Sequence, residues 1–410
     1  MLNRVWSGFF LVAFLMAGAK LVQGQDLFAP IMEAAFAAAK DAFQISLGLT
    51  GVMSLWLGIM KVGEKAGFLH LLNRLLAPLF RRLFPEVPPG HPALAAITMN
   101  MAANMMGLDN AATPLGLKAM KELQSLNPSR DTASDAQILF LVINTASVTL
   151  LPVTIFTYRA QMGAHDPTDV FIPLIIASFC GTLAGLLGVS LFQRIRLWDP
   201  VTLAYLAGMG ALVAALAAYF LQLPAAAMQR QSALLSNFIL FSVIVAFLAG
   251  AWWRRVNAYE AFIEGAKEGF QTAVTIIPYL VAMLVAIAVF RASGALDDLA
   301  RGVKSVVAAL GWDTRFVDAL PVALMKPFSG SGARAMMIDT MRVYGADSFA
   351  GRLASVLQGS TETTFYVLAV YFGAVGIRRT RHALACGLIA DAGGLVAAIV
   401  VSYWFFGAGG

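Results

Sequence analysis

Long apolar stretches without charged residues follow one another along most of the chain. Seven windows contain no charged side chain, and two further windows contain a single acidic residue each, Glu362 and Asp391. About twenty apolar residues are enough for a helix to cross the hydrocarbon core of a bilayer. The pattern therefore predicts about nine transmembrane helices, in windows 5–19, 42–60, 136–158, 170–193, 201–229, 231–253, 269–290, 353–377 and 383–410.

An internal repeat divides the chain. The stretch EAAFAAAKDAFQISLG recurs later as EAFIEGAKEGFQTAVT, with Glu, Lys, an acidic residue, Phe and Gln at the same places. The same offset aligns Gly67 with Gly294. Because polar positions recur as well as apolar ones, we predict a duplication with halves at 1–197 and 198–410.

Each half repeats one order of parts. A span that opens with Phe-Gln is followed by an amphipathic stretch, at 69–84 and at 296–310. A polar segment interrupted by Gly and Pro comes next, at 92–123 and at 321–344, and two spans close the half. Short interrupted segments at corresponding places in two halves are typical of the binding site of a transporter. We therefore predict two re-entrant hairpins.

The number of spans fixes the relative direction of the halves. Five predicted spans separate the two Phe-Gln helices, and an odd number inverts the second half. We therefore expect an all-α polytopic membrane protein with two inverted-topology repeats. The positive-inside rule places the amino terminus in the cytoplasm and the carboxyl terminus outside. The short basic connections that this count puts on the cytoplasmic side contain Arg194, Arg196, Arg254, Arg255, Arg378, Arg379 and Arg381.

Composition excludes several classes of function. Hydrophobic residues make up 59% of the chain and charged residues 13%, against about a quarter charged in soluble domains, so the lipid bilayer is the expected partner. The net charge of +6 comes from residues at the ends of spans, which does not favour nucleic acid. Scattered histidines and two cysteines in separate spans predict neither a metal nor a cofactor. GxSxG, HExxH and phosphate-loop motifs are absent from the sequence, so we do not expect an enzyme.

Amides and hydroxyls gather at the interrupted segment of the first half. Asn100 and Asn104 share one helical face, and Gly107 and Pro114 mark a break that exposes helix ends. Such groups suit a polar or anionic ligand, although polar residues in membranes also join helices to each other. The candidate ligand contacts of this half are Asn100, Asn104, Asn110, Thr113, Asn144 and Ser147.

The second half adds charged candidates. Glu362 lies in the middle of a predicted span, where a charge is costly unless it is paired or hydrated. It is a candidate for coupling transport to H⁺ or Na⁺, with Asp391 as a second candidate; the alternative is a structural ion pair between Glu362 and Lys326. The candidate contacts of this half are Lys326, Ser329, Ser331, Gln358, Ser360, Thr361 and Glu362.

Several long segments carry a family resemblance. FPEVPPGHPALAAITMNMAANMMGLDNAATPLGLKAMKEL, with DTASDAQILFLVINTASVTLLPVTI, resembles the spore maturation protein A family. KPFSGSGARAMMIDTMRVYGADSFAGRLASVLQGSTETTFYVLAVYFGAVGIRRTRHALACGLIAD is similar to the spore maturation protein B family. The two look fused at about 197–201. Both belong to the nucleoside recognition or gate proteins, and 100–114, 326–332 and 358–364 match signature segments of that family.

The resemblance implies a bacterial inner-membrane protein, linked in spore formers to dehydration of the spore core. Taken with the polar hairpins, it favours an ion-coupled secondary transporter of a small polar or anionic solute, nucleoside-like or carboxylate-like, that works by alternating access. Two alternatives are a channel for water or ions and a non-transporting envelope scaffold. Assembly as a homo-oligomer stays open.

Overall fold

The protein is built of helices. The computed structural model describes residues 2–146, 149–193, 195 and 197–407, with backbone only at 2–3, 109–111 and 225–226. Within these residues lie seventeen α-helices and one 3₁₀ helix, and the extended structure is a single bridge between Thr132 and Arg379. The predicted all-α membrane class is confirmed.

The helices are named α1 to α17 in chain order. They are α1 Leu2–Val22, α2 Phe28–Lys65, α3 Phe68–Leu83, α4 Pro92–Met105, α5 Asp109–Leu126, α6 Asp135–Ala146, α7 Val153–Gln161, α8 Phe171–Phe192, α9 Pro200–Leu221, α10 Ala225–Trp253, α11 Ala258–Ala292, α12 Ala295–Ala309, α13 Leu320–Met325, α14 Gly330–Tyr344, α15 Phe349–Ser360, α16 Thr364–Ala374 and α17 Ala383–Phe406. The 3₁₀ helix Arg315–Ala319 precedes α13.

Seven of the described helices are long and apolar enough to cross a bilayer: α1, α2, α8, α9, α10, α11 and α17. The other two predicted windows, 136–158 and 353–377, are not continuous helices. The first contains α6 and α7, and the second contains α15 and α16. A twelve-residue helix such as α6 or α15 is about 18 Å long, shorter than the hydrocarbon core. We call residues 149–152 the first break and residues 361–363 the second break.

The physical reason for the breaks is local. Pro152 stands immediately before α7 and has no N–H to continue a helix. Thr361 adopts an extended conformation, with φ −144° and ψ 172°, within a run of five hydroxyl and carboxyl side chains at 360–364. A hydropathy average over twenty residues does not register so short an interruption. The span count of nine stays a prediction.

The two halves contain the same elements in the same order. The series α2 to α8 corresponds to α11 to α17, and α9 and α10 connect them. The predicted amphipathic stretches are confirmed as α3 and α12, each within one residue of its expected bounds. Gly67 and Gly294, which the repeat aligns, precede these helices with φ of 84° and 82°. Both therefore occupy the left-handed region that glycine adopts without steric cost. The boundary at 197/198 falls between α8 and α9 and stays a prediction.

Corresponding helices pack against each other in opposite directions. Along α2 and α11, Met53 faces Gly269 and Leu57 faces Gly265. Residue numbers rise on one helix as they fall on the other, so the pair is antiparallel. A Cβ at Gly265 would lie 2.3 Å from the Leu57 carbonyl oxygen. Glycine is therefore required for the two backbones to approach so closely.

The second such pair is α8 and α17. Gly181 faces Gly394, and Gly185 faces Ala390, so these helices are antiparallel as well. A Cβ at Gly181 would lie 3.2 Å from the Gly394 Cα.

Candidate functional site

The first hairpin consists of α4 and α5, joined by the tip 106–108. Gly107 in this tip has φ 69°, and a Cβ on it would lie 2.5 Å from the carbonyl oxygen of Leu151. The Leu150 N–H donates a hydrogen bond of 2.8 Å to the Met105 carbonyl. The tip of the first hairpin is therefore seated on the first break.

The second hairpin consists of α13 and α14, joined by the tip 326–329. The Phe365 N–H donates a hydrogen bond of 3.0 Å to the Pro327 carbonyl. Ser329 caps α14, because its Oγ accepts from the Gly332 N–H at 3.0 Å. The second tip is therefore seated on the second break, as the first tip is on the first break.

The two breaks also meet each other. The Glu362 N–H donates to the Thr145 carbonyl across 2.7 Å, at the point where α6 ends. Hydrocarbon offers no partner to irregular backbone, so such backbone survives at membrane depth only when it is buried in protein or lines a wet cavity. The contacts between tips and breaks provide these partners.

A cavity of about 80 Å³ lies where these segments converge. The first half contributes Gly107 and residues 149–155, which include the first turn of α7. The second half contributes cationic, amide, hydroxyl and carboxylate side chains. The polar side chains that line the cavity belong to Thr149, Thr154, Lys326, Arg334, Gln358, Thr361 and Glu362.

The electrostatics of this cavity are mixed. Lys326 is buried, and its Nζ donates to the Gln358 carbonyl at 2.6 Å. The Arg334 guanidinium lies over the Tyr158 ring, with Cζ 5.5 Å from the ring centroid. The amino-terminal ends of α7 and α14 both reach the cavity wall and add partial positive charge. These groups suit an anion, whereas Glu362 supplies a negative charge.

Four predicted residues of the first half, Asn100, Asn104, Thr113 and Asn144, lie outside the wall of this cavity. Asn104 Nδ2 donates to Asn144 Oδ1 at 3.0 Å, and Asn144 Nδ2 donates to the Phe140 carbonyl. Asn100 Nδ2 donates to the Ala112 carbonyl at 2.7 Å and so joins α4 to α5. These contacts follow the helix-joining alternative. Thr113 is half-buried in α5, and the side chains of Asn110 and Ser147 lie outside the described residues.

The predicted residues of the second half divide into two groups. Lys326, Gln358, Thr361 and Glu362 line the cavity. The three serines have structural contacts. Ser329 caps α14 and lies 3.2 Å from Ser331 through the two Oγ atoms, and Ser360 Oγ donates to the Leu357 carbonyl. Binding of a ligand by any of these residues stays a prediction.

The two acidic candidates have different environments in the structure. Glu362 was expected to be desolvated within a span, but its side chain is exposed because it lies on a break rather than inside a helix. Asp391 is 2% exposed and therefore is the desolvated carboxylate. Its Oδ2 accepts from Thr364 Oγ1 at 2.5 Å. Its Oδ1 has no hydrogen-bond partner within the described part of the chain.

A protein-family model matches two separate segments of this chain. A family model described as nucleoside recognition (Gate) matches residues 46–162 and 273–378, which is more than half of the chain. The chain belongs to the nucleoside recognition family. Each matched segment contains one hairpin and one broken helix, α4 to α7 in the first and α13 to α16 in the second.

Two relatives are similar to parts of this member of the family. Spore maturation protein B of Bacillus subtilis (strain 168) is 52% identical over 165 residues, covering 40% of this chain and 91% of that protein. Spore maturation protein A of the same organism is 38% identical over 187 residues, covering 46% of this chain and 93% of that protein. The chain is therefore similar to both proteins over nearly their whole lengths, and the predicted resemblance is confirmed.

Beyond the cavity, a buried ion-pair network joins the two matched segments at one end of the broken helices. Arg159 Nη2 lies 2.8 Å from Asp169 Oδ1 and 3.3 Å from Asp347 Oδ1. Arg352 Nε lies 2.7 Å from Asp169 Oδ2. The Arg159 side chain is 0% exposed. Burial raises the pKa of the Asp169 carboxyl, and the two guanidiniums oppose that rise. We call this group the Arg159 cluster.

A second network joins the two halves at the opposite end of the broken helices. Arg381 Nη1 lies 2.7 Å from Asp135 Oδ1 and also donates to the Ala133 carbonyl. The Arg379 N–H donates to the Asp131 carbonyl at 2.9 Å. The Arg381 side chain is 41% exposed, so this Arg381 cluster is more open to solvent. Because α6 runs from it to the first break and α7 runs from that break to Arg159, the clusters lie on opposite sides of the cavity.

Sequence reasoning did not identify the Arg159 cluster or the cavity-lining Arg334. Arg159 and Asp169 stand directly outside the apolar windows 136–158 and 170–193. Their position at the two ends of one short connection was the available signal. Their partners lie nearly two hundred residues away in the second half, and a local pattern does not report such pairs.

Proposed function

We propose that this protein is a secondary membrane transporter that moves a small polar or anionic solute through the cavity between its two halves. The observation that carries the proposal is the convergence of two hairpin tips and two broken helices on one polar cavity. Discontinuous helices and hairpins at corresponding places in two repeats are the typical construction of a transporter site.

The proposed topology has two inverted repeats with re-entrant hairpins. It is supported by the antiparallel packing of α2 with α11 and of α8 with α17. Equivalent helices related by a twofold axis in the membrane plane run in opposite directions, whereas an axis along the membrane normal would leave them parallel. Under the positive-inside rule, the basic connections favour a topology with the Arg381 cluster in the cytoplasm and the Arg159 cluster outside.

Alternating access then requires that one cluster opens while the other stays closed. In this conformation the Arg159 cluster is buried and the Arg381 cluster is partly exposed. The outer end is therefore the more firmly closed of the two. Rocking of one half against the other would separate Arg159 from Asp347, because these residues belong to different halves, and would open the cavity to the outside.

The cavity favours a solute with an anionic group. Lys326, Arg334 and the amino-terminal ends of α7 and α14 can stabilise a carboxylate, and Gln358 and Thr149 can form hydrogen bonds to a neutral polar part. A nucleoside would use only the latter groups. A role in spore maturation is proposed here on the similarity to the two relatives.

Binding of the solute is tested by thermal unfolding of the purified full-length protein with nucleosides, dicarboxylates and amino acids. A ligand that binds the native state raises the unfolding midpoint by mass action. We expect the response to an anionic solute to be lost in Arg334→Gln. Arg315→Gln is the matched control, because Arg315 also lies over an aromatic ring, 5.4 Å from the Tyr403 centroid, but lies outside the cavity wall.

An unchanged response in Arg334→Gln would contradict the proposed site. If no solute raises the unfolding midpoint, and if cells that carry Arg334→Gln keep the phenotype of wild-type cells, the envelope scaffold is favoured. Rapid ion or water flux without solute binding would favour the channel.

A further inference from the structure

Among the residues that the structure describes, three oxygen atoms near the second break are buried without a hydrogen-bond partner. They are Gln358 Oε1, Thr361 Oγ1 and Asp391 Oδ1, and their residues are 5%, 3% and 2% exposed. An unsatisfied buried polar atom costs about 1–3 kcal/mol. Three such atoms in one region form a polar site that a bound group would satisfy.

Thr361 lies close to both of the other residues. Gln358 and Thr361 are three residues apart at the end of α15, and both line the cavity. On α17, Gly394 is one turn beyond Asp391, and a Cβ at Gly394 would lie 2.5 Å from Thr361 Cγ2. Thr364, just after the break, donates to the other oxygen of Asp391. The second break thus lies directly over the Asp391 carboxylate.

This place combines a carboxylate and a helix end, which suit a cation, with the buried Lys326 ammonium, whose charge acts on Asp391. The helix α15 ends at Ser360, so its carboxyl-terminal end, which carries partial negative charge, points to the same break. The Asp391 carboxylate adds a full negative charge when it is ionised. Unwound backbone together with a helix carboxyl end is a typical environment for a coupling ion in transporters.

The ligand set indicates the kind of cation. All three free atoms are oxygens, which hard cations prefer. Among the residues that the structure describes there is no group of three His, Cys, Asp or Glu side chains able to hold a metal ion, which does not favour a multivalent ion. A proton would neutralise Asp391 but would leave Gln358 Oε1 without a donor. A single positive charge with several oxygen ligands fits all three atoms.

We propose that Gln358, Thr361 and Asp391 bind one Na⁺ ion at the second break. This inference rests on the proposed function, for which it supplies the coupling ion, and it assigns that role to Asp391 rather than to the exposed Glu362. Because Gln358 and Thr361 also line the cavity, the ion fixes the wall that the solute contacts. Na⁺ and solute should therefore raise each other's affinity by the same factor.

The test is thermal unfolding of the full-length protein in NaCl, KCl and choline chloride at equal ionic strength. We expect a saturable rise of the midpoint in Na⁺ alone. Asp391→Asn and Thr361→Val should lose it, whereas Thr361→Ser, which keeps the hydroxyl, should retain it. Glu260→Gln is the control, because it removes an exposed carboxylate at the start of α11, outside the cavity wall, and it should respond as the wild type does.

Equal midpoints in the three salts would overturn the proposal. A Na⁺ response that persists in both Asp391→Asn and Thr361→Val would also overturn it, because the ion would then bind elsewhere. If Asp391→Asn does not fold, the proposal is tested by comparing the Na⁺-dependent rise of the midpoint in Thr361→Val with that in Thr361→Ser. Solute binding that is identical in Na⁺ and in choline would contradict the ion site but not the transporter. Failure of the ion-site proposal can therefore be distinguished from failure of the proposed function.

Discussion

The main-chain N–H of Glu362 donates to the carbonyl of Thr145 across 2.7 Å, although more than two hundred residues separate them. Each of these residues stands beside the break of a discontinuous helix, one in each half. The bond therefore joins the two irregular segments at the centre of the molecule, and both segments receive a hairpin tip. Substitutions at the tips, the breaks and the end clusters should have different and measurable consequences.

The first prediction concerns the tip of the first hairpin. Gly107→Ala places a Cβ 2.5 Å from the Leu151 carbonyl oxygen at a residue with φ 69°. We expect the tip to be displaced from the break, with lower stability and loss of solute binding. The measurement is the unfolding midpoint with and without solute.

Gly90→Ala is the control for that substitution. Gly90 has φ 84°, but no atom lies within 4 Å of a Cβ built on it. Only the backbone cost of about 1 kcal/mol should remain, without an effect on binding. Equal effects of the two substitutions would show that the tip does not need its contact with the first break.

The second prediction concerns the packing of α2 against α11. Gly265→Ala would force a Cβ to 2.3 Å from the Leu57 carbonyl oxygen and should destabilise the protein. Gly302→Ala in α12 meets no atom within 4 Å and should stabilise it by about 0.5–1 kcal/mol, because alanine favours a helix interior. The change in the free energy of unfolding caused by each substitution is measured from unfolding curves. Stabilisation by Gly265→Ala would mean that α2 and α11 are not in close contact.

The third prediction concerns the two end clusters. Arg159→Ala removes a guanidinium that is 0% exposed and leaves Asp169 with only its ion pair to Arg352, which should cost about 3 kcal/mol. Arg381→Ala removes an ion pair whose side chains are 41% and 36% exposed, which should cost about 1 kcal/mol or less. Equal losses of stability would contradict the difference in burial between the two ends.

The fourth prediction concerns Asn104 and Asn144, whose side chains share a hydrogen bond of 3.0 Å. If they join helices, Asn104→Ala and Asn144→Ala should not be additive, with a coupling energy of about 1 kcal/mol in a double-mutant cycle. Solute binding should persist in Asn104→Ala. A loss of binding with unchanged stability would instead restore Asn104 as a ligand contact.

Much of the fold could be predicted because its signals are local. The apolar windows, the amphipathic helices and the equivalence of Gly67 and Gly294 all follow from short-range periodicity or from the repeat. The interrupted segments at 92–123 and 321–344 correspond to α4–α5 and α13–α14. The breaks inside two spans were missed, since a few residues hardly change a hydropathy average.

The site was predicted only in part. Gln358 and Thr361 were expected near a break, and both line the cavity. The exposure of Glu362 was not predicted, because burial depends on what a neighbouring helix covers. Arg159 was missed for the same reason, since its partner Asp347 belongs to the other half. Sequence patterns report which residues are polar but not which of them meet.

The most direct measurement is counterflow in vesicles that contain the purified protein and an excess of unlabelled anionic solute. We expect labelled solute to accumulate transiently against its gradient in wild-type vesicles and not in Arg334→Gln vesicles, whereas Arg315→Gln vesicles behave as the wild type. Downhill flux of the label without accumulation, or no flux above protein-free vesicles, would contradict a carrier that binds its solute between the two halves.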